Sequence, residues 1–135
     1  MRTDAVLIRS VQREDRTGWL RLWREYHAHG PDGATELPVT DATWERFFQE
    51  HEPMEALVAE LKGRLVGFAH MVFHCSTSAP GQVCFLQDLF VEAMLRGTGI
   101  GHALIEAVYA RAQAAGAECI YWACAGDECG DIATI

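Results

Sequence analysis

No stretch of this chain approaches the roughly 18 to 20 consecutive apolar residues that a membrane-crossing helix needs. The opening Met1 to Ser10 has neither a long apolar run nor a small-residue cleavage site. No membrane partner is expected. Positive charge is scarce as well: 11 Lys and Arg stand against 19 Asp and Glu, a formal charge of −8. Such a field repels phosphate backbones, so no nucleic-acid partner is expected either. Lysine occurs once, at Lys62, a bias from which no function follows. Internal repeats, low-complexity tracts and linkers are also missing, which leaves residues 1–135 as a single domain.

What is present suits a packed core, with 50% of residues apolar and 22% charged. Five cysteines, Cys75, Cys84, Cys119, Cys124 and Cys129, leave one over in any full disulfide scheme, and three lie in strongly apolar runs. Reduced thiols and a cytoplasmic location are expected.

Ala5 to Val11 reads as a short strand. It leads into a helix over Arg13 to His29, with Trp19, Leu22, Trp23 and Tyr26 at helical spacing. Gly30 to Gly33 ends that helix, and Thr40 or Asp41 can cap a second one carrying Trp44, Phe47 and Phe48, closed by Pro53. Ala56 to Leu61 and Arg64 to His74 read as an antiparallel hairpin around Lys62-Gly63, where the glycine supplies a positive φ. Gln82 to Val91 is a third strand, apolar enough to lie centrally. Thr98 to Ala115 is a helix stopped by Gly116, and Cys119 to Ala123 is the last strand. Antiparallel neighbours with one late strand-helix-strand crossover define an α+β fold, a mixed and mainly antiparallel central sheet flanked by helices.

Chemistry concentrates where Leu89-Phe90-Val91 runs through a short turn into Arg96-Gly97-Thr98-Gly99-Ile100-Gly101-His102. The glycines let the backbone come close to a ligand. Unpaired N–H groups at the positive end of a helix suit a pyrophosphate, and Arg96 would add a side-chain cation. A Walker loop is excluded because Gly-Lys-Ser and Gly-Lys-Thr are absent. A dinucleotide fingerprint is excluded because His102 stands at the third glycine and the preceding strands are antiparallel.

Arg96, Gly99 and Gly101 fit the acetyl-CoA motif of the GCN5-related N-acetyltransferase (GNAT) superfamily, which the segment resembles. Gln87-Asp88-Leu89-Phe90-Val91 looks like that family's fourth strand and Arg64-Leu65-Val66-Gly67-Phe68-Ala69 like its third, with the likeness spanning Ala5 to Trp122. The resemblance implies an acyl-CoA N-acyltransferase fold with acetyl-CoA as cosubstrate. Leu89, Phe90 and Val91 would offer backbone groups to the pantetheine arm where the fourth and fifth strands splay. Arg96, Gly97, Thr98, Gly99, Ile100, Gly101 and His102 would hold the pyrophosphate, and an amine would attack the thioester directly. Gln87 and Asp88 are then the polar side chains nearest the reaction. They alternate to opposite faces, so only one can face the acceptor, and Asp88 is assigned as base or cation anchor. A structural role, capping a loop or pairing an arginine, is the competing reading. The implied acceptor is the primary amine of a small cationic molecule; the alternative is a non-catalytic acyl-CoA-binding module or a truncated family member that acts through association.

The family continues after its fifth strand into an Asn-containing helix with a Tyr that protonates the leaving thiolate, then two more strands. Ala123 to Ile135 holds no Tyr and is short for these elements, so the chain is expected to be C-terminally short, with no position for the general acid. The Cys119 to Ala123 strand would then be an open apolar edge that draws a second copy, a homo-oligomer and most simply a dimer.

Other clusters carry less. His27 and His29 do not share a helix face and read as a solvated helix end. His70 and His74 share strand parity and read as surface or cross-strand residues. Cys124 and Cys129 lack zinc-site spacing, so no metal is expected. Trp19, Trp23 and Tyr26 read as core, although helices here could cover an acceptor pocket. Glu25, Asp32, Glu36 and Asp41 are a solvated surface that could equally attract a cationic amine.

Overall fold

A computed structural model describes residues 5–28 and 39–122, and the backbone of 132–134. The strands are β1 (Leu7–Ser10), β2 (Met54–Leu61), β3 (Arg64–Cys75), β4 (Gln82–Val91), β5 (Cys119–Tyr121) and β6 (Ile132–Thr134). The helices are α1 (Arg16–Ala28), α2 (Thr40–Arg46) and α3 (Ile100–Ala114), with short 3-10 turns at Arg13–Asp15 and Ala93–Leu95. All six strands form one sheet in chain order. Every neighbour is antiparallel except β4 and β5, which α3 joins as a parallel crossover. Among the described residues, no helix is long and apolar enough to cross a membrane.

Strand alternation divides the core into two layers. Leu57, Ala59, Val66, Met71 and Leu86 point to the side covered by α3, where Ile100, Leu104, Val108 and Ala112 make an every-fourth-residue stripe. Ala56, Val58, Phe68 and Phe90 point the other way, against Trp19, Leu22 and Trp23 of α1 and Trp44 of α2. Trp19 is fully buried there, stacked on Trp23 at 5.3 Å between ring centroids.

Lys62 and Gly63 both take positive φ, 54° and 76°, the geometry of a type I′ hairpin turn. A Cβ on Gly67 would stand 2.7 Å from the Phe90 carbonyl oxygen, so only glycine lets β3 lie this close to β4.

Two expectations need correction. Neither Thr40 nor Asp41 caps α2: Val39 is the N-cap residue, the Thr40 hydroxyl accepts from Trp23 Nε1 at 3.0 Å, and Asp41 pairs with Arg16 at 2.6 Å. The edge of β5 is not open, because β6 lies antiparallel along it, with Cys119 opposite Thr134 and Tyr121 opposite Ile132. The chain's own backbone satisfies that edge, and association through it loses its physical basis. His29, Asp32, Glu36, Cys124 and Cys129 lie outside the described residues.

Candidate active site

The site forms along the second half of β4. On one side β4 pairs with β3 throughout, Phe68 facing Phe90 and Gly67 facing Val91. On the other, β5 reaches it only at Cys84 and Phe85, opposite Ile120 and Tyr121. Among the described residues, the stretch from Gln87 to Val91 has no strand on that side, so a gap opens toward the start of α3.

One extra residue determines what faces this gap. His70 sits opposite Asp88 and Met71 opposite Leu86, which leaves Gln87 as a β-bulge on β4. Before the bulge, Cys84 and Leu86 pack in the α3 layer; after it, Phe90, of the same parity, packs in the α1 layer. Asp88 shares that parity and is turned toward α1 with it, while Gln87 is left exposed.

Asp88 is thereby brought into a buried network. Its Oδ2 lies 2.9 Å from His70 Nδ1, and its Oδ1 accepts from the Tyr26 hydroxyl at 2.8 Å. His70, 3% exposed, accepts at Nε2 from Trp19 Nε1 at 3.0 Å. An indole N–H can only donate, so the imidazole proton must sit on Nδ1 and point at Asp88. Burial holds His70 below its usual pKa against the pull of Asp88. Burial also works against the Asp88 charge, but the bonds from His70 and Tyr26 prevail and keep its carboxyl below the usual aspartate range. Burial, followed by the adjacent Asp88 charge, pushes the Tyr26 hydroxyl well above its ordinary value. Asp88 is therefore a carboxylate held by two neutral donors, with 15% of its side chain exposed.

At the far end of β4, buried Glu92 is gripped by Arg64 through both oxygens, at 2.9 and 2.6 Å, and by Arg21 at 2.6 Å. This ties α1 and β3 to the point where the chain leaves β4. Gly97 and Gly99 take positive φ, 83° and 96°, and Gly99 is the N-cap of α3. The first helical bond runs from Ala103 N to Gly99 O at 3.0 Å, which leaves the Ile100, Gly101 and His102 amides without intrahelical partners. A Cβ at Gly97 or Gly99 would meet nothing within 4 Å, so the space above this turn is open. These features together make a cradle for an anion.

The side chains of the loop behave differently from its amides. Arg96 turns back onto β4, with Nε donating to the Val91 carbonyl at 3.0 Å and the guanidinium 5.4 Å from the Phe90 ring centroid. It closes the loop against the strand rather than standing beside the amides. Thr98 Oγ1 donates to Leu95 O at 2.5 Å, and His102 pairs with Glu106 at 3.1 Å. Leu89, Phe90 and Val91 line the gap by backbone, while Phe90 and Val91 bury their side chains.

Sequence spacing alone does not reveal the donor roles of Trp19 and Tyr26, nor which residue is the cross-strand partner of His70. The first two lie at core spacing on α1, and His70 was separated from Asp88 by a register that the bulge determines. The available signal was a histidine within an apolar strand that is paired with the aspartate strand.

A central strand paired on one side, an open gap and a glycine-rich turn entering a helix are the frame of an acyl-CoA N-acyltransferase. The match to the model of the acetyltransferase (GNAT) family covers residues 16–133, and the chain belongs to that family. It is 30% identical over 126 residues to the D-amino-acid N-acetyltransferase HPA3 of Saccharomyces cerevisiae, covering 90% of this chain and 76% of that protein. Among solved structures it resembles the aminoglycoside N-acetyltransferase AAC(6')-Iy in complex with CoA, with a TM-score of 0.74, 22% identity and coverage of 90% and 78%. It also resembles a ribosomal-protein-alanine N-acetyltransferase from Brucella melitensis biovar Abortus 2308, with a TM-score of 0.69, 23% identity and coverage of 87% and 78%.

Proposed function

We propose that this protein transfers the acetyl group of acetyl-CoA to a primary amine of a small cationic acceptor. The observation that carries this reading is a juxtaposition: the free amides at the start of α3 and an ionised, partly exposed Asp88 lie at the two ends of one segment of β4 that is paired with β3 but not with β5. The amides of Gly97 to His102 would hold the pyrophosphate, and the backbone of Leu89 to Val91 would run beside the pantetheine arm. The thioester would then come to the gap near Gln87 and Asp88. A neutral amine nitrogen attacks the carbonyl carbon, the carbon–sulfur bond breaks, and the proton shed by nitrogen ends on sulfur. The negative charge of Asp88 draws a cationic acceptor to this end of the gap. A reducing cytosol suits the free thiols of Cys75, Cys84 and Cys119, of which buried Cys84 is pushed up to about 11.

The relative and both structural neighbours named above are N-acetyltransferases by name, which supports an amine as acceptor. The test is thiol release from acetyl-CoA with a panel of polyamines, D- and L-amino acids and aminoglycosides. Amine-dependent release is expected. If acetyl-CoA binds but no amine is turned over, the chain is a binding module and the enzymatic reading falls.

A further inference from the structure

The geometry points to Asp88 as a permanently charged anchor for a cationic group of the acceptor other than the attacking amine, with His70, locked by Trp19, as the positioning residue that keeps it so. This rests on the reading of the chain as an amine acetyltransferase and assigns the acceptor's class: a molecule with two or more positive groups.

The lock has three parts. Trp19 Nε1 donates to His70 Nε2, so His70 cannot carry a proton there without setting two N–H groups against each other. The remaining Nδ1–H is spent on Asp88 Oδ2, and the Tyr26 hydroxyl occupies Oδ1. Phe47 at 4.9 Å and Phe68 at 4.4 Å pack against the ring, and His70 is buried among them. The titratable groups acting on His70 are Asp88 on β4 and His27 on α1, with Tyr26 of α1 on the far oxygen of Asp88. Of these, only Asp88 favours the imidazolium, and the buried site outweighs it.

A general base works best when its pKa lies near the working pH, and a carboxylate already satisfied by two donors is a poor proton acceptor. The same carboxylate remains charged at every physiological pH. An ammonium paired with it is stabilised in its protonated, non-nucleophilic form. The nitrogen that attacks must therefore be a second one, and its proton leaves by another route.

Two measurements test this. In 15N-histidine-labelled wild type, His70 is expected to show the neutral Nδ1–H pattern unchanged from pH 5.5 to 8.5. An Nε2–H pattern, or titration within that range, overturns the lock. Trp19→Phe, which deletes the indole N–H, leaves Nδ1–H held by the Asp88 carboxylate but frees Nε2 to take a second proton, so His70 is expected to titrate to imidazolium within that range; a neutral pattern unchanged across it overturns the role given to Trp19. Second, affinities of a linear diamine and a monoamine of equal length are measured by calorimetry in the dead-end complex with CoA. Asp88→Asn is expected to weaken the diamine by ~10- to 100-fold, the loss of one charge-assisted contact, and the monoamine by under ~3-fold. Equal weakening of both, or none, overturns the anchor. A parallel thiol-release assay keeps the two readings apart: Asp88-dependent diamine binding without turnover sinks the acetyltransferase and keeps the anchor, whereas turnover with Asp88-independent binding does the reverse.

Discussion

The two faces of the central sheet are built from different chemistry. The α3 face is almost wholly aliphatic: Leu104, Val108, Ala59 and Met71 pack there without a buried polar side chain among them. The α1 face is aromatic, and it encloses His70 and Asp88. Trp and Tyr side chains combine a large apolar body with one polar atom, so they can pack and donate at once. Aliphatic residues cannot do this. The α3 face accordingly seats the helix that carries the glycine turn, while the α1 face holds a charged group among hydrogen-bond donors.

The contrast can be broken from either side. The largest effect is expected from Leu104→Ala, at a site with no exposure, which should cost about 2–5 kcal/mol in urea unfolding through lost burial and the cavity left behind. It should leave the pH dependence of stability unchanged. His70→Gln should do the opposite. Because His70 is depressed in the folded protein, the unfolded chain binds a proton near its ordinary pKa of about 6.5 that the folded chain refuses. Stability therefore rises with pH through that region and falls as pH drops below it, by up to about 1.4 kcal/mol per pH unit. The variant should lose that slope between about pH 5 and 6.5, read from unfolding at a series of pH values. Asp88 acts lower: its depressed pKa contributes stability above its unfolded value of about 3.9, lost as pH falls through the folded one.

On the α3 side, Gly99→Ala meets no protein atom but must hold a φ of 96° at a helix start where a ligand would approach. Left-handed backbone costs a residue with a Cβ about 1–2 kcal/mol, so calorimetry should show acetyl-CoA affinity falling by roughly tenfold or more. The smallest change is Tyr26→Phe, which removes one donor from Asp88 while keeping the ring. It should raise the acceptor KM by a few fold, about 1 kcal/mol, with little effect on the acetyl-CoA KM.

How much of this was legible in the sequence follows the range of the interactions involved. The Lys62-Gly63 hairpin and the Gly97 to Gly101 turn announce themselves through residues that tolerate positive φ, a local property. The three long strands and the α3 stripe follow from apolar periodicity. The bulge at Gln87 left no trace, because it depends on how two strands align rather than on either alone. Without it, Asp88 would face the α3 layer and His70 Nδ1 would lose its acceptor, leaving Trp19 as its partner at Nε2. β6 was missed because Ile132-Ala133-Thr134 is too short to carry a pattern and is defined only by the edge it covers.

The most direct test of this division of labour is initial-rate kinetics with both substrates varied, comparing wild type, Gly99→Ala and Asp88→Asn. Acetyl-CoA bound at the α3 turn and an amine held from the α1 face require the Gly99 variant to raise the acetyl-CoA KM alone and the Asp88 variant to raise the acceptor KM alone. Both variants moving both constants alike, or the two effects exchanged, would contradict it.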